Sequence, residues 1–509
     1  MKITGLLAGL CLALLCNLTW AQLKTPVPAG DERYRPAMHF TPAKHWMNDP
    51  NGMVFYKGTY HLFYQYHPYS SVWGPMHWGH ATSTDLVAWK HQPIALFPDS
   101  LGLIFSGSAV LDINNTSGLG TTATPPLVAL FTYHDMSGEK AGRNDFQYQG
   151  LAWSNDDGKT WQKYKGNPVL RNPGLKDFRD PKITWHPATQ RWIMTLAAGD
   201  RVHFYTSLNL KDWTWASEFG DDAGAHGGVW ECPDLFTLPL PEGGTKWVLL
   251  VNLNPGGPNQ GSATQYFLGE FDGKTFTPDQ TGTRWLDYGP DEYAGVTWSN
   301  TGNRTVLMGW MSNWGYAQVV PTETWRSAMT VARELRLVKA TDGLRISSLP
   351  VKELDKYRSA PVTWEQLAIT ATRAHLHKTW QLQTPSLITL TAAEARDIVI
   401  MFWNENGDTL EAGYDAAQQQ YFIDRTRAGQ SVFHKDFAAR VVAPRFALQK
   451  EIELQLLLDR GSVELFADGG LTTMTALVFP RTPYSNVALK SPGGIIVRKV
   501  QYFPMKKAL

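Results

Sequence analysis

Ser83-Thr84-Asp85-Leu86-Val87-Ala88-Trp89 returns in altered form as Ser154-Asn155-Asp156-Asp157-Gly158-Lys159-Thr160-Trp161 and again as Ser207-Leu208-Asn209-Leu210-Lys211-Asp212-Trp213. Each copy sets a Ser, then an acid or amide, then a Trp; Asp272-Gly273-Lys274-Thr275-Phe276 is a degenerate fourth. The first three stand 71 and then 53 residues apart, longer than a minimal propeller blade but suited to four-stranded blades with inserted loops. From about Arg33 to Leu337 the copies lie among short aromatic and β-branched runs bounded by Gly, Pro, Asn and Asp. Tyr60–Tyr66, Arg191–Leu196, Lys246–Val251 and Thr305–Trp310 are examples. Period-2 alternation in such runs predicts strands rather than helices. The expectation is an all-β chain opening with a five-bladed β-propeller.

The repeat stops after the fourth copy. A polar stretch around Ser347–Leu354 predicts a connector with one short helix near Glu365, and later runs such as Asp397–Trp403 and Ile452–Leu458 predict a second all-β unit, a β-sandwich. The expected division is residues 1–21 as a signal peptide, 33–340 as the propeller, 341–372 as a linker and 373–509 as the sandwich. The signal assignment rests on Lys2, the apolar run Leu6–Leu15 and the small residue Ala21 before Gln22. That run is too short to span a bilayer, so no membrane span is expected and the protein is predicted to be exported, to the periplasm or the medium. Removing it takes away Lys2, Cys11 and Cys16, leaving 46 basic against 46 acidic residues and one thiol, Cys232. Formal neutrality gives no basic surplus to recruit nucleic acid, and one thiol makes no internal disulfide. The 21 Trp suit flat, hydroxylated ligands, although core packing alone explains most of them.

Three acids sit beside Pro, Cys or Arg rather than in solvated runs. They are Asp49 in Trp46-Met47-Asn48-Asp49-Pro50-Asn51-Gly52, Asp180 in Arg179-Asp180-Pro181, and Glu231 in Trp230-Glu231-Cys232-Pro233. Intervals of 131 and 51 residues place them on different blades, from which a propeller aims side chains at its axis. Singly, each has a plain structural account: a Pro-Gly turn for Asp49, an ion pair for Arg179 with Asp180, a strand end for Glu231. Together they match the need of glycosidic hydrolysis for one carboxyl that protonates the leaving oxygen and another that attacks the anomeric carbon or activates water.

The three motifs, in this order and at this spacing, resemble the signatures of glycoside hydrolase family 32, which includes invertases, levanases and inulinases. Phe63-Tyr64-Gln65, Trp73–His80, Phe105-Ser106-Gly107-Ser108, Tyr288–Ala294, Trp310–Trp314, Trp325–Thr330 and Leu458–Glu464 extend the likeness over nearly the whole chain. The segments Asn254–Asn259, Ala263–Tyr266 and Trp325–Thr330 are more similar to levanases and exo-inulinases than to plant invertases. The resemblance implies a five-bladed propeller followed by a sandwich, acting on fructan (levan or inulin) or sucrose. It assigns Asp49 as nucleophile, Glu231 as general acid and base, and Asp180 as transition-state stabiliser kept ionised by Arg179 where the two touch. Trp46, Asn48, Gln65, Trp73, Phe105, Ser106, Arg179 and Trp314 are candidates for the sugar pocket, with core packing as the alternative for Phe105 and Trp314.

No metal and no cofactor are expected. His77 and His80 have helical spacing in what reads as a strand or loop, Cys232 lacks a His partner and is expected to pack and shape the site, and Asn254–Asn259 lacks the Lys-Ser/Thr of a phosphate loop and reads as a surface loop near the mouth. Sequence leaves open an invertase, a fructosyltransferase, an endo-acting fructanase and a non-catalytic fructan-binding protein, as well as oligomeric state.

Overall fold

The computed structural model describes residues 32–508 except 122, 372–373 and 377–381; the expected signal peptide, 1–21, lies outside the described residues. Among the described residues strands dominate, with one short α-helix at Met136–Lys140 and one 3-10 helix at Lys352–Tyr357. Five largely antiparallel sheets follow one another along the chain. Their cores are four-stranded meanders, the fifth interrupted by a loop, that begin with His45–Tyr56, Leu103–Leu111, Phe178–His186, Val229–Pro239 and Tyr293–Thr297. These five first strands adjoin one another in chain order, and the fifth adjoins the first. Trp325–Arg326, from the region of the fifth sheet, pairs in parallel with the first strand at His45 and Trp46.

The Ser-Asp-Trp repeat has one structural meaning. Ser83, Ser154 and Ser207 each end the third strand of their sheet, and Phe271 before Asp272 does the same in the fourth. The acid or amide then turns the chain by accepting backbone N–H groups: Asp85 from Val87 and Ala88, Asp156 from Thr160, Asn209 from Lys211 and Asp212, Asp272 from Lys274 and Thr275. Such side-chain turns are local and leave a sequence trace. The fifth sheet needs none, since only Thr341 and Asp342 separate its third strand, Arg333–Ala340, from its fourth, Gly343–Pro350.

That fourth strand corrects the expected linker. Within 341–372, Gly343–Pro350 completes the fifth sheet and Val362–Ile369 already pairs with Ile495–Pro504 in the next unit. The helix lies at Lys352–Tyr357, and Glu365 is in a strand. Val362 and Trp364 alternate with Thr363 and Glu365 at an edge, which is strand patterning, and Gln366, at φ 49°, interrupts the alternation before Leu367. The second unit has two six-stranded sheets enclosing a core that includes Ile388, Leu390, Ile400, Phe402, Leu454 and Leu456. Alternation sends Leu387, Leu457 and Phe466 the other way, where they pack with Met38, Phe40, Val351 and Leu354 of the first unit.

Buried polar contacts join the units as well. The chain entering the fifth sheet runs along Thr472–Leu477 of the sandwich, with Tyr288 N donating to Thr473 O at 2.8 Å and Asp291 N to Thr475 O at 3.2 Å. Asp291 Oδ2 accepts from Leu477 N at 2.8 Å, and a side chain at Gly289 would collide with the Thr475 backbone. His39 lies between Asp459 and Glu464, and Arg333 bonds Asp287 and Glu464. Asn259 donates to Tyr288 O and to Val442 O. The loop Asn254–Asn259, expected at the surface, is thus tied to the second unit.

Candidate active site

Each first strand is irregular at one level. Pairing registers shift between Met47 and Pro50, Ile104 and Gly107, Arg179 and Lys182, Glu231 and Asp234, and Tyr293 and Val296. Pro50, Pro181 and Pro233 bring no N–H to the ladder, and Gly52, Asp180, Cys232 and Ala294 have φ of 52°, 65°, 43° and 54°. Bulges re-aim side chains, and these turn Asp49, Asp180 and Glu231 toward one another. This corrects the turn expected at Asp49-Pro50-Asn51-Gly52: the segment stays within the strand His45–Tyr56, bulged on both sides. Asn51 holds the bulge, donating to Asp49 O at 2.8 Å and accepting from Gly107 N at 3.1 Å.

Asp49 Oδ1 accepts from Asn48 Nδ2 at 3.0 Å, while Oδ2 accepts from Ser106 Oγ at 2.6 Å and from Cys232 Sγ at 3.6 Å. Asp180 Oδ2 accepts from the Cys232 backbone N–H at 3.0 Å. Cys232 therefore touches both aspartates, and the preceding residue is Glu231. Glu231 Oε1 accepts from Arg179 Nη2 and Nε at 3.0 and 3.3 Å, and Oε2 accepts the Tyr293 hydroxyl.

Arg179 thus serves Glu231 and, at 2.6 Å, Asp177; its nearest approach to Asp180 is 3.8 Å. The Arg179 guanidinium therefore favours the ionised form of Asp180 only in part. Burial raises its pKa, Arg179 counters only in part, Glu231 and Asp49 raise it further, and the outcome is about 7. Burial is also the first cause that raises Asp49, with Glu231 adding to it while Ser106 and Asn48 pull it down. The Cys232 thiol and Tyr293 hydroxyl are pushed well up by burial and the surrounding carboxylates, so both stay protonated donors.

The pocket candidates divide by exposure. Phe105, Trp73 and Trp314 are half-buried, Phe105 stacked on His134 at 4.2 Å and Trp73 edge-on to Phe105 at 6.2 Å. Trp46 is fully covered, packed against Trp310 and Trp314, and its Nε1 donates to Asn48 Oδ1 at 2.8 Å. Gln65 is buried beside the Met47–Pro50 bulge, and its Nε2 has no protein partner among the described residues. Amides, hydroxyls and ring faces together offer what a sugar needs. His77 and His80 turn to different partners, Pro75 O and His61.

The comparisons with known proteins agree over the whole fold. Residues 39–348 match the family model for the glycosyl hydrolases family 32 N-terminal domain, and residues 353–504 match that for the family's C-terminal domain. The chain belongs to glycosyl hydrolase family 32. It is a glycoside hydrolase, and it is 45% identical over 492 residues to a levanase of Bacillus subtilis, covering 94% of this chain and 71% of that one. It is 40% identical over 501 residues to an extracellular exo-inulinase of Aspergillus niger, covering 91% and 93%. Among solved structures, an exo-inulinase of Aspergillus awamori superposes with a TM-score of 0.86 at 37% identity, over 94% and 99% of the two chains. A beta-fructofuranosidase of Schwanniomyces occidentalis complexed with fructosyl-erythritol gives 0.84 at 31%, over 93% and 98%. The sequence alone does not single out Tyr293, Asp177 or the double contact of Cys232. Tyr293 lies in the quoted Tyr288–Ala294 stretch, but its contact with Glu231 joins residues 62 apart.

Proposed function

We propose that this family 32 chain is an exported, retaining β-fructosidase that releases terminal fructose from fructans and from sucrose. The observation that carries the reading is the Asp49 carboxylate, held by Asn48 and Ser106 next to Cys232, whose neighbour Glu231 is anchored by Arg179 and Tyr293. Asp49 attacks the anomeric carbon, forming an ester with the fructosyl group as the glycosidic C–O bond breaks. Glu231 gives its proton to the leaving oxygen and then takes one from the water that cleaves the ester. Asp180 accepts sugar hydroxyls and supports the positive charge of the ring. Relatives that are levanases and exo-inulinases support fructan as substrate.

The five sheets are read as the blades of a five-bladed propeller, an assignment supported by the cyclic contact of their first strands, with the two six-stranded sheets as the sandwich. Export is supported by the pattern of residues 1–21 and by relatives named as extracellular; among the described residues no helix is long and apolar enough to cross a membrane.

Product analysis on levan, inulin and sucrose, joined to two variants, tests the reading. Asp49→Asn should abolish release from every substrate. Glu231→Gln should lose about 10²–10⁴-fold on sucrose but far less on aryl fructosides, whose leaving groups need no proton. Equal losses on both would remove Glu231 from the acid role, and binding without release by the wild type would sink the enzyme.

A further inference from the structure

We propose that Tyr69, Trp73 and Phe97 form a shelf outside the acid pocket that carries the second and later units of a fructan chain, favouring polymers over sucrose. The proposal rests on the acid cluster being the site of fructose release. Large aromatic side chains normally bury their area. Tyr69 is 71% exposed and Phe97 53% exposed, and they stand together. Both rings meet His77 edge-on, at 5.8 and 5.5 Å. Tyr69 also meets His67 at 6.0 Å, and the His67 ring lies where a side chain at Gly74, next to Trp73, would be. Trp73 in turn touches Phe105, whose neighbour Ser106 donates to Asp49. Contacts therefore run from Ser106 and Phe105 through Trp73 and Gly74 to the buried rings of His67 and His77, on which Tyr69 and Phe97 stand exposed.

The loop that presents these rings is fixed rather than loose. Ser70 O accepts from Trp46 N at 3.0 Å, Val72 O is bonded by His67 Nδ1 at 2.8 Å, Ser71 Oγ donates to Glu323 O at 3.2 Å, and Trp73 N donates to Gln318 Oε1 at 3.3 Å. A pinned backbone with outward rings loses little freedom on binding. The strip is also without net charge. Burial holds His77 below its usual range, so the imidazole between the rings is neutral, and Lys163, which bonds Phe97 O, is matched by Asp99 at 2.6 Å. An uncharged, aromatic, rigid strip fits a neutral polyhydroxylated chain, whose C–H faces lie on ring faces. On this reading sucrose, with one unit beyond its fructose, ends at Trp73, and only a longer chain meets Tyr69 and Phe97.

Tyr69→Ala, Phe97→Ala and the double variant are assayed for fructose release from sucrose and from levan and inulin chains. Each truncation should lower kcat/KM on the polymers about three- to tenfold, through KM, leave sucrose within about twofold, and be rescued by Tyr69→Phe or Phe97→Tyr. Equal falls on sucrose and polymer, or no fall on polymer, would overturn the shelf. Retardation in a native gel containing levan needs no turnover. Its loss in the variants supports the shelf even if the wild type releases nothing, which would instead defeat the reading of the acids. Concentration-dependent dimerisation of the wild type that disappears in the variants would assign the rings to a second copy and overturn the proposal.

Discussion

Raising the pH through 9 should weaken the join between the two units, because one of its buried contacts is a protonated imidazole. His39 Nδ1 lies 2.8 Å from Asp459 Oδ2 and Nε2 lies 2.7 Å from Glu464 Oε1, with all three side chains at 0% exposure. Burial alone would lower the imidazole pKa, but the two carboxylates overcome it and raise His39 from 6.5 to about 9. A shift of about 2.5 units at 1.36 kcal/mol each makes about 3 kcal/mol. That figure belongs to the cluster, since Glu464 is depressed from 4.5 to about 2 by Arg333 and His39 against its burial. A raised His pKa stabilises fully below 6.5 and loses its contribution as pH rises through about 9. The depressed Glu464 contributes above 4.5 and loses its contribution as pH falls through about 2. The cluster is therefore strongest between about pH 4.5 and 6.5. Urea unfolding of the wild type and His39→Gln, followed from pH 6 to 9.5, reads the effect. The wild type should lose about 3 kcal/mol more than the variant across that range, and at pH 8 its unfolding should release close to one proton that the variant does not. Parallel pH dependences would refute the reasoning.

Two substitutions reach the site and the strand beneath it. Ser106→Ala removes the 2.6 Å bond to Asp49. A charge-assisted bond is worth about 1.5–3 kcal/mol, so kcat/KM should fall about ten- to a hundredfold. Because Ser106 lowers the Asp49 pKa, the acid limb of the pH–rate profile should move to higher pH; an unmoved limb would show that Asp49 does not set it. Gly52→Ala puts a methyl 2.6 Å from the Phe63 ring and 2.7 Å from the Trp78 ring at φ 52°. It should cost about 2 kcal/mol or more, read as a lowered Tm, and an unchanged Tm would argue against the bulge being fixed by sterics.

What the sequence shows clearly is what is local. Ser83 and Asp85 close one turn through bonds to Asp85 N and Ala88 N, just before Trp89, so the repeat carries the sheet pattern; the fifth sheet escapes because a two-residue hairpin needs no such signature. The acids are legible for a related reason. Pro50, Pro181 and Pro233 mark the bulges that present them, although Asp49-Pro50-Asn51-Gly52 reads as a turn until strand pairing on both sides is known. Side-chain partnership is not legible. Arg179 adjoins Asp180 in sequence, yet its guanidinium goes to Glu231 and Asp177, and the bulge at Asp180 that separates the neighbours depends on the opposing strand. Strands Gly343–Pro350 and Val362–Ile369 read as a linker because both are polar on one side, and composition alone does not distinguish an edge strand from a connector.

The segment that runs along Thr472–Leu477 before entering the fifth sheet has a bearing on how this chain can be divided. Two residues after Asp291, which the sandwich holds through Leu477, comes Tyr293, the donor to Glu231. The carboxy-terminal unit thus acts as a jig for the first unit without lending it an acid. A gene truncated at the boundary between the two units would still encode Asp49, Asp180 and Glu231. It would lack the template against which Tyr293 is set, and it would bare Phe40, Val351 and Leu354 to water. Modularity in this protein is a property of its sheets, not of its function.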